Sequence, residues 1–234
     1  AVWRHALGQI RALATADIDG LGRTSLRIVA VSENGMHCAF EEPGEVFTGR
    51  LVDVLAQVRA ELNPSIECAQ DGARRVIEAM ETALQGNDLT LEDLFDTDYQ
   101  PIAGTDPRQV SNRALAVLDR ILPPIQEDIL GRADGTGMAF CASVDRNGYL
   151  PVHNLVYSKP QRAGDPAWNA ANCRNRRVFD DRAGLSAARN TRPFLVQTYP
   201  RDMGNGTIIW MREVDAPIVI NDRHWGAFRT AYKL

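Results

Sequence analysis

From Met138 to the end, the chain alternates short apolar runs with turn sequences, and this pattern constrains the fold more than any other. The apolar runs begin near residues 138, 149, 194, 208 and 224. The turns between the later runs are rich in Asn, Asp and Gly, which adopt the backbone conformations of tight turns. Strands joined by such short turns pair antiparallel. The pattern therefore predicts an antiparallel sheet of five strands, with a sixth strand as the alternative.

Before residue 138 most of the chain has helical periodicity. It predicts helices over 1–16, 45–86 and 107–130, and a hairpin whose turn is Asn34-Gly35. Asn63-Pro64 suits the start of a new helix, so 45–86 is either one broken helix or two consecutive ones. Pro123-Pro124 is expected to kink or interrupt the third helix. Long helices packed on an antiparallel sheet make an α+β fold.

Apolar residues in the first part of the 45–86 segment recur at heptad-like spacing. They are Leu51, Leu55, Val58 and Leu62. Such a stripe forms the seam of a parallel dimer or packs on its own domain. We expect a homodimer, and intramolecular packing is the alternative.

Composition and charge exclude several classes of function. The net charge is −4, whereas nucleic-acid binding depends on clustered Lys and Arg, so no nucleic-acid partner is expected. No apolar run approaches the ~20 residues of a spanning helix. The four cysteines are far apart, without the close pairs of a zinc site. The chain begins Ala1-Val2-Trp3, without an initiator Met, which we interpret as a cut within a longer protein.

Four stretches carry a resemblance to one family of sensor domains. They are Phe140-Cys-Ala-Ser-Val-Asp-Arg-Asn-Gly-Tyr-Leu-Pro-Val-His-Asn154, Trp168-Asn-Ala-Ala-Asn-Cys-Arg-Asn-Arg-Arg-Val-Phe-Asp-Asp-Arg182, Pro193-Phe-Leu-Val-Gln-Thr-Tyr199 with Arg201-Asp202, and Asp215-Ala-Pro-Ile-Val-Ile-Asn-Asp-Arg-His-Trp-Gly226. Together they resemble the Cache branch of PAS-like sensor domains, found in bacterial methyl-accepting chemotaxis proteins. The resemblance covers about residues 90–234, and it includes the segment from Phe95 to Pro107.

The resemblance implies a signal-input domain that binds a small molecule and passes on a conformational change. It implies a helical and hairpin connecting segment at 1–88, a Cache/PAS-like sensor domain at 89–234, and parent chemoreceptor helices as partners. Localisation is then cytoplasmic, with the periplasmic part of a membrane receptor as the alternative. The Tyr, Arg and Trp signature of amino-acid-binding members is absent, so amino acids are not the favoured ligand.

A pocket between the sheet and the long helices is expected to bind the ligand. The candidate ligand-binding residues are Tyr149, His153, Asn154, Trp168, Asn169, Asn172, Cys173, Arg176, Tyr199 and Arg212. The loop from Trp168 to Arg177 is rich in arginine and asparagine beside a Trp ring. Arginine forks suit carboxylates and Trp offers a stacking surface, which favours an anionic or planar polar ligand.

Each of these assignments has a structural alternative. The loop arginines could pair with Asp180, Asp181 and Asp202 and pin the loop to the sheet. His153 could bind a polar ligand, sense pH, ligate haem iron, or form a structural hydrogen bond. Arg212 alternates with apolar residues on its strand, so it needs a ligand or an acidic partner, unless it lies at an outward strand end.

No catalytic motif supports an enzyme. The sequence contains no Gly-x-Ser-x-Gly, no His-Glu-x-x-His and no phosphate-binding glycine loop. Asp145 or Cys173 could be drawn as a dyad with His153, but no third group is fixed. We expect no catalysis and no cofactor, with haem or flavin as the minority alternative. A dimerisation module without a ligand is the other alternative function.

Overall fold

The computed structural model describes residues 13–32, 35–202 and 207–234. Contacts divide the chain into two compact units, Ala1–Asn63 and Pro64–Leu234. This division falls earlier in the chain than the domain boundary predicted after residue 88. The protein is an α+β chain with one long helix and several antiparallel sheets.

The first unit contains a three-stranded antiparallel sheet and the beginning of the long helix. Its strands are β1 (Leu13–Ile18), β2 (Gly22–Ser32) and β3 (Gly35–Glu41), in the order β1-β2-β3. The predicted hairpin around Asn34-Gly35 is confirmed by the pairing of β2 with β3. Its turn residues 33–34 lie outside the described part of the chain. Phe40 of β3 and Phe47 of the helix pack edge to face, with ring centroids 5.1 Å apart.

The helix predicted over 1–16 is wrong where the structure describes it. Residues 13–18 form β1, which pairs with β2 from Leu13 opposite Arg27 to Ile18 opposite Gly22. The apolar spacing was compatible with a helix, but pairing with β2 satisfies the backbone hydrogen bonds of this segment. Residues 1–12 lie outside the described residues.

The long helix α1 (Glu45–Gln85) runs through Pro64 without a break. The predicted interruption at Asn63-Pro64 is therefore wrong, although the two compact units divide at this dipeptide. A proline inside a helix removes one hydrogen bond and costs about 3 kcal/mol. Residues after Pro64 offset this cost by burying a continuous apolar face. That face consists of Ile66, Ala69, Ala73, Val76 and Met80.

The second unit contains the remaining elements. In chain order they are α2 (Leu91–Leu94), β4 (Gln100–Pro101), β5 (Val110–Ser111), α3 (Leu115–Arg132), β6 (Met138–Asp145), β7 (Tyr149–Leu150), a 3₁₀ turn (Leu155–Tyr157), α4 (Pro166–Asn172), β8 (Arg177–Val178), α5 (Arg182–Ala188), β9 (Leu195–Asp202), β10 (Ile208–Ile220) and β11 (Arg223–Lys233). The helix expected over 107–130 begins later, at Leu115, because Val110 and Ser111 form β5 and pair with β4.

Helix α3 contains Pro123 and Pro124 and runs through both, so the interruption is wrong as one of the two predicted outcomes, and the predicted kink stays a prediction. Its buried face explains why the segment stays helical despite the two missing amide donors. That face consists of Leu118, Leu122, Ile125, Gln126 and Ile129. The burial of four aliphatic side chains contributes about 1.5–3 kcal/mol each, which offsets the cost of about 3 kcal/mol for each proline.

The central sheet has four strands in the described residues, in the order β6-β11-β10-β9, all antiparallel. The strand predicted to begin near residue 149 does not join this sheet. It is the two-residue strand β7, which pairs with β8 in a separate ladder. Side chains bind the edge of β6 where another strand would pair. The Cys141 amide donates to Asn154 Oδ1 at 2.8 Å, and the Ser143 amide donates to Gln126 Oε1 at 3.1 Å.

The two faces of the sheet are covered differently. The helix face carries Val214, Ile218 and Phe228 and packs against α3 and the part of α1 after Pro64. It is tightly packed at Gly72 of α1, where a Cβ would lie 2.2 Å from the Phe228 ring. A pocket was predicted between the sheet and the long helices, and there is no space for one at this contact. The opposite face, the pocket face, is covered by α4, α5 and their loops.

Candidate functional site

A pocket of about 910 Å³ lies on the pocket face, between strand β9 and the segment that contains α4, β8 and α5. Its volume is within the range of small-molecule sites, which is about 300–1,000 Å³. The lining residues are Ala170, Arg174, Arg177, Phe179, Asp181, Arg182, Ala183, Ser186, Leu195, Gln197, Thr198, Tyr199, Pro200 and Arg201.

Strand β9 supplies one wall through its two-residue period. Gln197, Tyr199 and Arg201 lie opposite Glu213, Met211 and Ile209 of β10. Side chains at alternate positions of a strand point to the same side, so these three belong to the pocket face. Because β9 is the last strand of the sheet, both its face and its free edge border the pocket.

The other wall begins after α4, whose first turn is capped by Asp165 accepting a hydrogen bond from the Trp168 amide at 3.1 Å. The chain leaves α4 at Cys173 and enters β8, where Arg177 pairs with Leu150 of β7. The Phe179 amide then donates to the Gly148 carbonyl at 2.8 Å. These backbone bonds attach the segment from Arg177 to Phe179 to β7 and to the turn before it, and so fix the position of the arginine-rich segment.

Arg201 is buried, and no carboxylate of the described residues pairs with it. Its residue is 4% exposed, and its Nε has no hydrogen-bond partner among the described residues. The guanidinium lies over the rings of Phe140 and Tyr157, 4.9 Å from each centroid. Contact with aromatic faces stabilises a cation through the ring quadrupole.

Arg174 and Arg177 share a second aromatic support. Their guanidinium carbons lie 5.0 and 5.1 Å from the centroid of Phe179. Each also donates from one terminal nitrogen to the Ala170 carbonyl, at a long 3.3 Å. Burial, together with the neighbouring Arg201 and Arg177, lowers the pKa of Arg174 to about 9. Burial also lowers the pKa of Arg177. Positive charge is therefore concentrated here with little solvent around it.

The charge of the lining is strongly unbalanced. Arg174, Arg177, Arg182 and Arg201 form no ion pair with any residue that the structure describes. Asp181 is the acidic residue of the lining, and it caps α5 by accepting from the Gly184 amide at 2.9 Å. An excess of unpaired arginines favours anionic groups, which guanidinium forks bind in bidentate geometry.

A buried charged network lies beneath the pocket in the sheet. Arg229 of β11 binds both oxygens of Glu213, with Nε–Oε1 at 2.6 Å and Nη2–Oε2 at 2.8 Å. The ion pair holds the pKa of Glu213 below its ordinary value, although burial opposes this. Burial and the adjacent Glu213 raise the pKa of Asp215 well above its ordinary value. Gln197 connects the network to the pocket by donating to Asp215 Oδ2 at 3.3 Å.

Of the ten residues predicted from the sequence, Tyr199 lines this pocket. Burial and the nearby Glu213 raise the pKa of its phenol. The phenol is thus neutral and able to donate or accept a hydrogen bond at the border between the pocket and the network beneath it.

His153 lies behind the pocket wall and does not line it. It is 1% exposed, and its ring is 5.0 Å from that of Phe140 and 4.9 Å from that of Tyr157. Its Nδ1 accepts the Asn154 amide at 2.7 Å. Burial, reinforced by Arg174, Arg201 and Arg229, lowers its pKa well below the ordinary value. A neutral His153 supports the two rings on which Arg201 stacks.

Four further predicted residues make hydrogen bonds within the protein. The Tyr149 hydroxyl donates to the Val110 carbonyl at 3.1 Å, and Asn154 binds the edge of β6. Asn169 donates to the carbonyls of Asp106 and Arg162, and Asn172 donates to the Trp168 carbonyl. These contacts account for their polar groups without a ligand.

The last four predicted residues also lie outside the pocket lining. Cys173 is fully buried at the end of α4, and burial raises the pKa of its thiol. Arg162 lies over the ring of Trp168, 3.6 Å from the ring centroid. Arg176 forms an ion pair with Asp119 of α3 at 2.9 Å, rather than with the aspartates considered from the sequence. Arg212 faces the opposite side of the sheet, near the exposed Trp210.

Sequence reasoning missed Arg174, Arg177 and Arg201 as a group, together with Phe179. The loop arginines were recognised as a cluster, but the sequence could not show which of them has a carboxylate partner. Arg201 carries a usable signal, since it follows Gln197 and Tyr199 at strand spacing. Its aromatic supports come from β6 and the 3₁₀ turn, so they are invisible to local patterns.

The site offers little to a metal or haem. The described residues contain no group of three or more His, Cys, Asp or Glu side chains placed to hold a metal ion. The pocket lining contains no imidazole or thiolate, and Tyr199 is its one side chain of a type that ligates haem iron. Among the described helices, none is both long and apolar enough to span a bilayer.

Comparison with known proteins gives little guidance. No family model matches the chain, and no curated protein matches it. A solved structure described as an RNA-binding Light-Oxygen-Voltage receptor has similarity at a TM-score of 0.25 and 10% sequence identity. That similarity covers 99% of this chain and 79% of the receptor chain. At this TM-score the likeness assigns neither a fold family nor a function.

Proposed function

We propose that this chain is a signal-input domain that binds a small molecule in the pocket beside β9 and does not transform it. The observation that carries the proposal is a 910 Å³ pocket lined by arginines that form no ion pair with any described residue. A few polar groups converging in a partly apolar cavity are typical of ligand sites.

The sheet provides a physical connection between ligand and helix. Gln197 and Tyr199 border the pocket, and Gln197 also bonds the buried Glu213–Asp215 network. Strand β11, which pairs with β10, presents Phe228 to α1 on the other side, in contact with Gly72. A ligand that favours one arrangement of β9 would therefore bias the packing of the sheet on α1. This supports signal input, with the parent protein proposed to be a cytoplasmic PAS/Cache-type chemoreceptor.

The experiment is native mass spectrometry followed by thermal unfolding with a metabolite panel. We expect a small molecule to be retained or to raise the melting temperature. S186W places an indole in the pocket and should abolish this shift. S186A, at the same position on α5, should keep it. A protein without retained mass and without a response to a broad panel would refute the proposal.

A second candidate, a dimerisation module, is favoured by one observation. The part of α1 before Pro64 exposes apolar side chains, including Val52, Leu55 and Val58. Within the predicted seam, Leu55 is 58% and Val58 is 43% exposed. A parallel pairing of two copies along this stripe would cover them.

Analytical ultracentrifugation tests this second candidate. We expect wild-type protein to sediment as a dimer and L55E to shift it toward monomer. Q57E, which adds a charge at an exposed position two residues away, is the control. A monomeric wild type at all concentrations would refute the dimer, and it would leave the pocket proposal intact.

A further inference from the structure

We propose that the ligand is an organic anion whose carboxylate or phosphate group is bound by Arg174, Arg177 and Arg201. This inference rests on the proposed function, because it names the chemical class that the same pocket accepts. Three observations support it: how the arginines are held, how their charge is left uncompensated, and what else lines the cavity.

Aromatic rings hold these arginines and leave N–H groups available beside the long bonds of Arg174 and Arg177 to the Ala170 carbonyl. Arg201 lies over Phe140 and Tyr157, while Arg174 and Arg177 lie beside Phe179. A ring face stabilises the cation as a whole, whereas bidentate binding of an acid uses N–H groups in the plane of the guanidinium. The Nε of Arg201 has no partner among described residues, although it is buried. The rings therefore orient the guanidinium groups, while at least one N–H group, Arg201 Nε–H, still lacks a hydrogen-bond acceptor among the described residues.

The sheet itself provides the comparison that makes the uncompensated charge informative. Arg229 has nearly the same burial as Arg201, with residues 6% and 4% exposed. It binds a carboxylate of the chain in bidentate geometry, through Glu213. A buried charge without such a partner is costly. For Arg229 the chain supplies a carboxylate, whereas no described residue supplies one to Arg201. This difference points to a carboxylate or phosphate supplied by a ligand.

The rest of the lining requires an organic ligand rather than a free inorganic ion. Apolar contributions come from Ala170, Phe179, Ala183, Leu195 and Pro200. A cavity of about 910 Å³ is far larger than a phosphate or acetate ion, whereas it matches a drug-sized molecule. An acid group at the arginines and an apolar or planar body against the remaining wall would use both parts of the surface.

The first test measures the arginine site without knowing the ligand. Thermal unfolding is compared in sodium chloride, sulfate and inorganic phosphate at equal ionic strength for wild type, R174M/R201M and R108M. Sulfate and phosphate stabilise proteins generally, so the measured quantity is the excess shift over the double variant. We expect wild type and R108M, which changes an exposed arginine outside the pocket, to share this excess. Equal shifts in all three proteins would overturn the inference.

The second test distinguishes the acid group and the body of the ligand. Benzoate, phenyl phosphate and the neutral benzamide are titrated into wild type, R174M/R201M and S186W. We expect an acid to bind at least tenfold more tightly than benzamide, and this preference to disappear in the double variant. The stronger of the two acids identifies carboxylate or phosphate as the natural group.

The outcomes separate this inference from the function on which it rests. A molecule that is retained by wild type and R174M/R201M but lost from S186W would show a pocket for neutral ligands. That result would refute the anion inference and preserve the signal-input proposal. If S186W leaves every response unchanged, the pocket is not the site and both proposals fail. An anion-specific shift lost in the double variant and in S186W supports both.

Discussion

The two buried carboxyl groups of β10 should respond in opposite ways to removal of their charge. Glu213 and Asp215 are two residues apart, both 0% exposed, and share one cation, Arg229. Arg229 binds both oxygens of Glu213, whereas its Nε is 3.9 Å from Asp215 Oδ1. Oδ1 of Asp215 accepts no hydrogen bond from any described donor. A proton on Asp215, which lets it donate to Glu213, accounts for this arrangement.

Replacing Asp215 by Asn imitates the protonated acid. The amide can donate to Glu213, and its oxygen can accept from Gln197 as Asp215 does now. Above about pH 4 the unfolded chain loses the proton of Asp215. The folded chain keeps it, because burial and Glu213 raise the pKa of this carboxyl well above that value. The folded state then binds one more proton, so this group lowers the free energy of unfolding as pH rises.

The size of the effect follows from one proton. Each pH unit changes the free energy of unfolding by up to about 1.4 kcal/mol. D215N removes this loss, so its stability relative to wild type should increase by up to about 2.7 kcal/mol between pH 5.5 and 7.5. Taking the difference between the two proteins cancels the titration of all groups that they share.

Urea unfolding followed by circular dichroism at both pH values measures this difference. D134N is the control, since it makes the same chemical change at an exposed loop residue. We expect its difference from wild type to be the same at pH 5.5 and 7.5. If D215N is less stable than wild type at pH 7.5, or its advantage shrinks as pH rises, the assignment of the proton to Asp215 is wrong.

Three further predictions concern packing and charge in the second unit and in α1. E213Q should lose about 3 kcal/mol in urea unfolding, because it removes the bidentate partner of buried Arg229. G72A should lower stability by at least about 1–3 kcal/mol, since its methyl group would overlap Phe228, whereas G49A in the open part of the same helix should gain about 0.5–1 kcal/mol. Wild type should lose stability relative to H153N as pH falls below about 6.5, by up to about 1.4 kcal/mol per unit, because the lowered pKa of His153 keeps it neutral only when folded; equal pH profiles would contradict this.

The parts of the fold that depend on local patterns could be predicted from the sequence. Strands β9, β10 and β11 follow from their apolar runs and turn residues, and the antiparallel order follows from the short connections. Helix α5 follows from Asp181, which caps its first turn. These features depend on residues that are close in sequence, where spacing and turn chemistry act directly.

The errors arise where a distant residue decides the outcome. The second hairpin strand after Gly148 looked like a partner for β6, but Asn154 and Gln126 already bind the amides at that edge. The helix expected over residues 13–16 is a strand, because β2 lies beside it. Pro64 looked like a helix start, but a buried face beyond it keeps α1 continuous. No local rule distinguishes these cases.

The candidate site shows the same limit more sharply, because its chemistry depends on which arginines are paired. Composition shows many arginines between residues 162 and 212, and spacing places them near a loop and two strands. Arg176 is neutralised by Asp119 and Arg229 by Glu213, whereas Arg201 rests on aromatic rings alone. The partners lie 57 and 16 residues away along the chain. The sequence therefore shows where the arginine charges are. Only the neighbours of each arginine in space determine whether its charge stabilises the fold or remains available to a ligand.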